Sequence, residues 1–84
     1  MRNIELNKVY RHFKGNYYYI KDIAKCSETL DKYVVYQALY GDSQTYIRKL
    51  DMFLESIDEN KEDNITKQKY RFELVELNKE ELKW

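Results

Sequence analysis

YRHFKGNYYY at residues 10–19 decides the fold of this chain. The central Gly15-Asn16 pair favours a tight turn, and the aromatic residues on both sides favour β-strands. The sequence therefore predicts a hairpin in which a two-residue turn joins a strand at residues 8–14 to a strand at residues 17–25. The second strand alternates imperfectly between apolar and polar residues, which indicates a β-bulge near Lys21 and Asp22.

Three more segments are typical of strands. They cover residues 33–40, 45–50 and 70–77 and are rich in β-branched and aromatic side chains. Asp51 is expected to cap a short helical turn at residues 52–55, so that Met52, Phe53 and Ile57 close one end of the core. The charged residues 58–67 indicate a mobile loop, and residues 78–84 begin with a capping-box pattern that predicts a short helix.

These elements predict one mainly β domain over residues 1–84. Five short strands with polar turns are typical of a small SH3-like barrel or of a strongly curved antiparallel sheet, here with a short C-terminal helix. Closure into a barrel would remove unpaired strand edges from a small chain.

Charge and composition restrict the class of partner. The chain has 15 basic and 15 acidic residues and is formally neutral, whereas proteins that bind polymeric nucleic acid usually carry a basic excess. Nine tyrosines exceed what the core of 84 residues needs, and exposed aromatic rings commonly anchor interfaces and stack on ligands. We therefore expect a homo-oligomer and a compact ligand rather than polymeric nucleic acid.

Other features set expectations for location and chemistry. The single cysteine, Cys26, excludes an intramolecular disulfide. No apolar run reaches the length of a membrane span, and the N-terminus lacks a signal-peptide core. We expect a protein of the bacterial cytoplasm with no membrane partner and no cofactor. We also expect no metal site, because the histidine, cysteine and carboxylates show no metal-ligand spacing.

Spaced motifs run along much of the chain: YRHFKG at 10–15, SET at 27–29, VVY at 34–36, LYG at 39–41, Arg48, MF at 52–53, and Glu55. This pattern resembles the DUF1653 family of small bacterial and phage domains of unknown function. The resemblance covers about residues 8–57 and a closing segment at about 69–77, and it implies a small β fold but no activity. The family usually has tryptophan at the position of Tyr46 and proline at that of Lys49, so a pocket at Tyr46 is expected to be altered.

Two arginines within predicted strands are candidate ligand contacts. The guanidinium groups of Arg11 and Arg48 suit bidentate contacts to phosphate or carboxylate and also stack on aromatic rings. A structural ion pair with a nearby carboxylate is the equally weighted alternative. The full set of candidate ligand-binding residues is Arg11, His12, Asn16, Tyr17, Ser27, Tyr36, Tyr40, Tyr46 and Arg48.

The sequence favours a non-catalytic protein that recognises or sequesters a small anionic aromatic molecule of the nucleotide type. Tyrosine rings would stack on the base, and arginine would bind the phosphate. The alternatives are a protein-interaction module, by SH3-like peptide binding or homo-oligomerisation, and binding of single-stranded nucleic acid. An enzyme is disfavoured because nucleophile and base candidates are scarce; a hydrolase based on His12, or Cys26 as a nucleophile beside it, is the exception considered.

Overall fold

The protein is an open five-stranded antiparallel sheet, described for residues 3–76 by a computed structural model. The elements are β1 (Val9–His12), β2 (Tyr17–Lys25), β3 (Lys32–Ala38), β4 (Thr45–Lys49), the helix α1 (Leu50–Phe53) and β5 (Phe72–Leu74). The order across the sheet is β4-β3-β2-β1-β5. The mainly β class and the five strands are confirmed. The sheet does not close into a barrel, because β4 and β5 form its two edges.

The first hairpin has a longer connection than predicted. Arg11 is the last residue of β1 to pair with β2, opposite Tyr17. Beyond it, the His12 N–H donates to the Asn16 carbonyl at 2.8 Å, and the Gly15 N–H donates to the His12 carbonyl at 2.7 Å. The two-residue turn was therefore wrong, because the strand ends early and Phe13 turns inward to become buried.

The predicted bulge in β2 is confirmed. Ile20 pairs with Tyr36 but Asp22 pairs with Val35, so Lys21 is the extra residue. Because successive residues of a strand face opposite sides, one extra residue resets which positions of β2 face the core.

The core lies on one face of the sheet, which we call the inner face. Its strand residues meet Phe53 of α1 and Phe72 of β5, both almost fully buried. Phe53 closes the core as predicted, whereas Met52 is exposed. The residue at the N-cap of α1 is Lys49, without a side-chain cap, and Asp51 instead accepts the N–H of Met52 within the first turn. The predicted capping role of Asp51 was therefore wrong.

The segment expected to be a mobile loop, residues 58–67, is held to the sheet by two buried amides. Asn64 is 1% exposed and Gln68 is 3% exposed. The Asn64 side chain donates to the carbonyls of Asp58 and Gln68 and accepts the Gln68 N–H. Gln68 in turn donates to the carbonyls of Arg11 and Tyr70. The sequence did not indicate this anchoring, because the two amides are only a small part of a highly charged segment.

The closing strand is shorter than predicted. It pairs with β1 through Phe72, Glu73 and Leu74, and an isolated bridge joins Tyr70 to Ser56. The predicted C-terminal helix at residues 78–84 lies outside the described residues.

Candidate functional site

Four rings form an aromatic cluster on the inner face: Tyr18, Tyr36, Phe53 and Phe72. The rings of Phe53 and Phe72 stack with centroids 4.0 Å apart. Tyr36 contacts Tyr18 and Phe72 edge-on, at centroid distances of 5.3 Å and 5.6 Å. Such contacts contribute about 0.5–1.5 kcal/mol each beyond the area they bury. The cluster therefore forms a rigid floor.

Four of the sequence-predicted site residues surround this floor, and we call them the rim: His12, Tyr40, Tyr46 and Arg48. Two of them are tyrosines that contact the floor: Tyr40 meets Tyr18 edge-on with centroids 5.6 Å apart, and Tyr46 meets Tyr36 at a tilt with centroids 5.9 Å apart. Their exposed fractions are 42% and 43%. A fifth predicted residue, Tyr36, is buried in the floor and has no open stacking face.

Arg48 is the positive centre of the rim. Its side chain is partly buried, its guanidinium carbon lies 5.7 Å from the centroid of Phe72, and its Nε donates to the Tyr36 hydroxyl at 3.4 Å. Among residues 3–76 no ion pair joins Arg48 to a carboxylate. An arginine that has no carboxylate partner and lies beside an apolar surface can donate hydrogen bonds to a bound anion.

His12 also contacts Phe72, edge-on, with ring centroids 4.9 Å apart. Burial, followed by the positive charges of Arg48, Arg71 and Lys14, lowers the pKa of His12 from 6.5 to about 4, against a smaller opposing effect of Asp63. The ring is therefore neutral near pH 7. The Lys14 N–H points at its Nδ1 at 3.1 Å, so we assign the remaining proton to Nε2.

The lowered pKa of His12 has a consequence for stability. Because His12 binds a proton near pH 6.5 when unfolded but only near pH 4 when folded, the free energy of unfolding falls as the pH drops between these values. We expect the His12→Asn variant to lose less stability than the wild type across this window. Urea denaturation at a series of pH values measures this difference. Equal pH profiles for the two proteins would contradict the assignment.

Two tyrosine hydroxyls meet at the edge of the floor. Those of Tyr18 and Tyr40 are 2.8 Å apart and share a hydrogen bond. Burial, and then this bond, raise the pKa of Tyr18. The phenol of Tyr18 therefore stays protonated, and the pair leaves a neutral hydrogen-bonding group next to the exposed ring of Tyr40.

Two other predicted site residues, Arg11 and Tyr17, lie on the opposite, outer face. They pair across β1 and β2 and line a groove of about 200 Å³ with Glu73. The Arg11 Nε donates to the Gln68 side chain at 3.0 Å. Arg11 thus helps to hold the closing segment, through an amide rather than the carboxylate bridge considered from the sequence. It does not join Arg48 in one site.

Asn16 adjoins the rim through its backbone, and Ser27 is separate from it. The Asn16 carbonyl accepts the His12 N–H in the first hairpin, and Ser27 lies in the turn that follows β2. Cys26 precedes that turn, at the end of β2 remote from His12. Hydrogen bonds with Thr29 lower the pKa of its thiol. The fold therefore does not bring the cysteine and the histidine together.

The sequence did not single out one cation and one ring of this site. Arg71 and Phe72 follow each other in the closing segment, and both act at the rim, Arg71 through its charge and Phe72 as its floor. Arg71 is paired with Glu55, to which its Nε donates at 2.8 Å. The Nζ of Lys14, another cation near the rim, lies 3.7 Å from the Asp63 carboxylate. The alternation of polar and apolar residues around Arg71 and Phe72 was the available signal. It does not reveal which strand pairs with this segment.

Two negative findings apply to the described part of the chain. Residues 3–76 contain no group of three or more histidine, cysteine, aspartate or glutamate side chains suited to hold a metal ion. Within the same residues, no helix is long and apolar enough to cross a membrane.

Comparison with known proteins identifies the family. Residues 8–74 match the family described as "Protein of unknown function (DUF1653)". The chain is also similar to a DUF1653 protein from Bordetella bronchiseptica, whose crystal structure superposes with a TM-score of 0.68 at 30% sequence identity, covering 84% of this chain and 87% of that one. No curated protein matches the chain. On the extent of these matches, the chain belongs to the DUF1653 family.

Proposed function

We propose that the protein binds a small anionic aromatic molecule of the nucleotide class at the rim and does not change it chemically. The observation that carries this proposal is Arg48, a partly buried arginine that has no carboxylate partner among residues 3–76 and lies among aromatic rings. A ligand that joins an anionic group to a planar ring could bind the guanidinium of Arg48 and also stack on the aromatic rings.

The geometry supports distinct roles for the rim residues. Arg48 supplies the charged donor to a phosphate oxygen, and the neutral His12 supplies a second donor through Nε2. The half-exposed rings of Tyr40 and Tyr46 offer faces on which a base can stack, an interaction of about 1–3 kcal/mol per base. The net neutrality of the chain favours a compact ligand over a long polyanion.

Binding without chemistry is supported by the surroundings of His12. A general base requires a group that orients it and a nucleophile within reach. The Nδ1 of His12 accepts a backbone N–H rather than contacting a carboxylate, and Cys26 is at the far end of β2. The lowered pKa further weakens His12 as a base near neutral pH.

Calorimetric titration with a panel of mono-, di- and cyclic nucleotides tests the proposal. We expect one class to bind more tightly than about 100 μM, a level at which specific recognition is measurable. Arg48→Ala should weaken that binding about 10- to 100-fold, because a hydrogen bond to a charged group contributes about 1.5–3 kcal/mol. The variant Arg48→Lys, which keeps the charge, should bind with intermediate affinity.

Arg11→Ala is the matched control, since Arg11 is also an arginine within a strand, β1, but on the outer face. It should bind the ligand like the wild type. The proposal fails if no nucleotide in the panel binds, or if Arg11→Ala weakens binding as much as Arg48→Ala. Thermal melting of each variant separates a loss of binding from a loss of folding.

A homo-oligomeric interaction module is the second candidate function. The free outer edge of β4 favours it, because an edge strand with unpaired backbone groups is a template for another strand.

A further inference from the structure

The edge strand β4 presents its unpaired backbone groups in a defined pattern. It pairs with β3 on one side and has no strand on the other within residues 3–76. Just before β4, the Ala38 N–H donates to the Gln44 carbonyl at 2.9 Å. Since hydrogen-bonded and non-bonded pairs alternate in an antiparallel ladder, Tyr46 and Arg48 direct their peptide groups to β3. Thr45 and Ile47 therefore direct theirs outward.

We propose that two copies of this chain pair through β4, antiparallel, with Ile47 on the two-fold axis. Each Ile47 would exchange both backbone hydrogen bonds with the Ile47 of its partner, and Thr45 would pair with Lys49 of the partner. The result is a continuous ten-stranded sheet in a dimer of C2 symmetry. This dimer does not depend on the ligand proposed above.

The distribution of charge selects this register. With Ile47 on the axis, Arg48 faces the partner's Tyr46, and all five residues of β4 are paired. Moving the axis to Arg48 would set the two arginines directly opposite each other, which is destabilising. Moving it to Tyr46 would pair only residues 45–47 and leave Arg48 and Lys49 outside the pairing. A shift that pairs Ile47 with Arg48 would place their side chains on mismatched faces.

The side chains at this edge also suit self-association. Ile47 is 64% exposed, and the neighbouring Tyr46 and Met52 are each 43% exposed. A formal net charge of zero offers little long-range repulsion between copies. The two cations of β4 would each face a neutral residue, so pairing buries no like-charged contact.

The dimer has a consequence for the rim. Arg48 and the partner's Tyr46 would form a non-hydrogen-bonded pair on the inner face, where opposing side chains come closest. The ring of the partner's Tyr46 would thus lie beside the guanidinium of Arg48, so that residues of both copies would form each rim.

Sedimentation equilibrium without any nucleotide tests the pairing. We expect reversible dimerisation with a dissociation constant of about 10–100 μM, as suits a small interface. Ile47→Pro should be monomeric, because proline removes the outward N–H, and an edge strand tolerates that loss. Ile65→Lys, at a residue 69% exposed and remote from β4, should dimerise like the wild type. A wild type that stays monomeric at about 1 mM, or an Ile47→Pro variant that still dimerises, would overturn the proposal.

Cysteine cross-linking provides a readout that does not rely on proline. In a Cys26→Ser background, Ile47→Cys should form an intermolecular disulfide when oxidised glutathione is added, because the axis sets the two thiols opposite each other. Ile65→Cys in the same background is the control. Cross-linking of Ile65→Cys at the rate of Ile47→Cys would overturn the proposal, because it would show that the contact is random collision. The nucleotide proposal would be unaffected by that result.

Discussion

Phe72→Ala is expected to lower the free energy of unfolding by about 3–5 kcal/mol, the range for truncating a buried phenylalanine. Phe72 is 1% exposed and stacks on Phe53 while contacting Tyr18 and Tyr36 by their edges. It is also the first residue of β5, which pairs only with β1 in the described sheet. Its loss would leave a cavity where the closing strand enters the core.

Urea denaturation followed by far-UV circular dichroism measures this effect. A domain of this size has a total stability of about 4–13 kcal/mol, so a loss of about 3–5 kcal/mol removes a large share of it. Leu30→Ala is the control, because Leu30 is 66% exposed and its truncation should change stability by less than about 0.5 kcal/mol. A loss below about 1 kcal/mol for Phe72→Ala would show that the aromatic floor is not packed as described.

Asn64→Ala is expected to destabilise the protein by about 2–4 kcal/mol. Its side chain makes four hydrogen bonds, with backbone groups of Asp58 and Gln68 and with the hydroxyl of Thr66. Alanine removes all four and leaves buried donors and acceptors without partners, each costing about 1–3 kcal/mol where water cannot replace the bond. Partial access of water at the Asp58 and Thr66 ends brings the sum down to the stated range.

Asn60→Ala is the matched control for Asn64→Ala. Asn60 lies in the same segment but is exposed. We expect it to change stability by less than about 0.5 kcal/mol. Hydrogen exchange adds a local readout: the Gln68 N–H should lose protection in Asn64→Ala and keep it in Asn60→Ala. Retained protection of Gln68 in Asn64→Ala would contradict the anchoring role of Asn64.

The strands could be predicted because their side chains alternate. In β3 the buried residues Val34, Tyr36 and Ala38 occupy every second position, which is the signal that the sequence carries. The bulge in β2 was visible as a break in that pattern. The length of the first turn was not, since Phe13 continues the alternation of β1 although it lies beyond the end of the strand, where it is buried. The local sequence pattern does not indicate where β1 ends.

The candidate site could be predicted only as a set of residue types. Arg11 and Arg48 carry the same signal, an arginine within a strand, yet the fold gives the first an amide partner and the second an aromatic surround. The difference depends on which segment returns to cover each face. Gln68, the partner of Arg11, comes more than fifty residues after it, and Phe72, which lies beside Arg48, comes more than twenty residues after that arginine. No local sequence pattern connects residues so far apart.

The bulge in β2 has a meaning for how relatives of this chain should be aligned. Because Lys21 is the extra residue between the Ile20–Tyr36 and Asp22–Val35 pairs, a relative lacking one residue there keeps every other cross-strand pair and both faces of the strand. A gap elsewhere in β2 would reverse the faces of all positions between the gap and the bulge. Alignments that place a deletion in this strand are therefore structurally consistent only when they place it at Lys21.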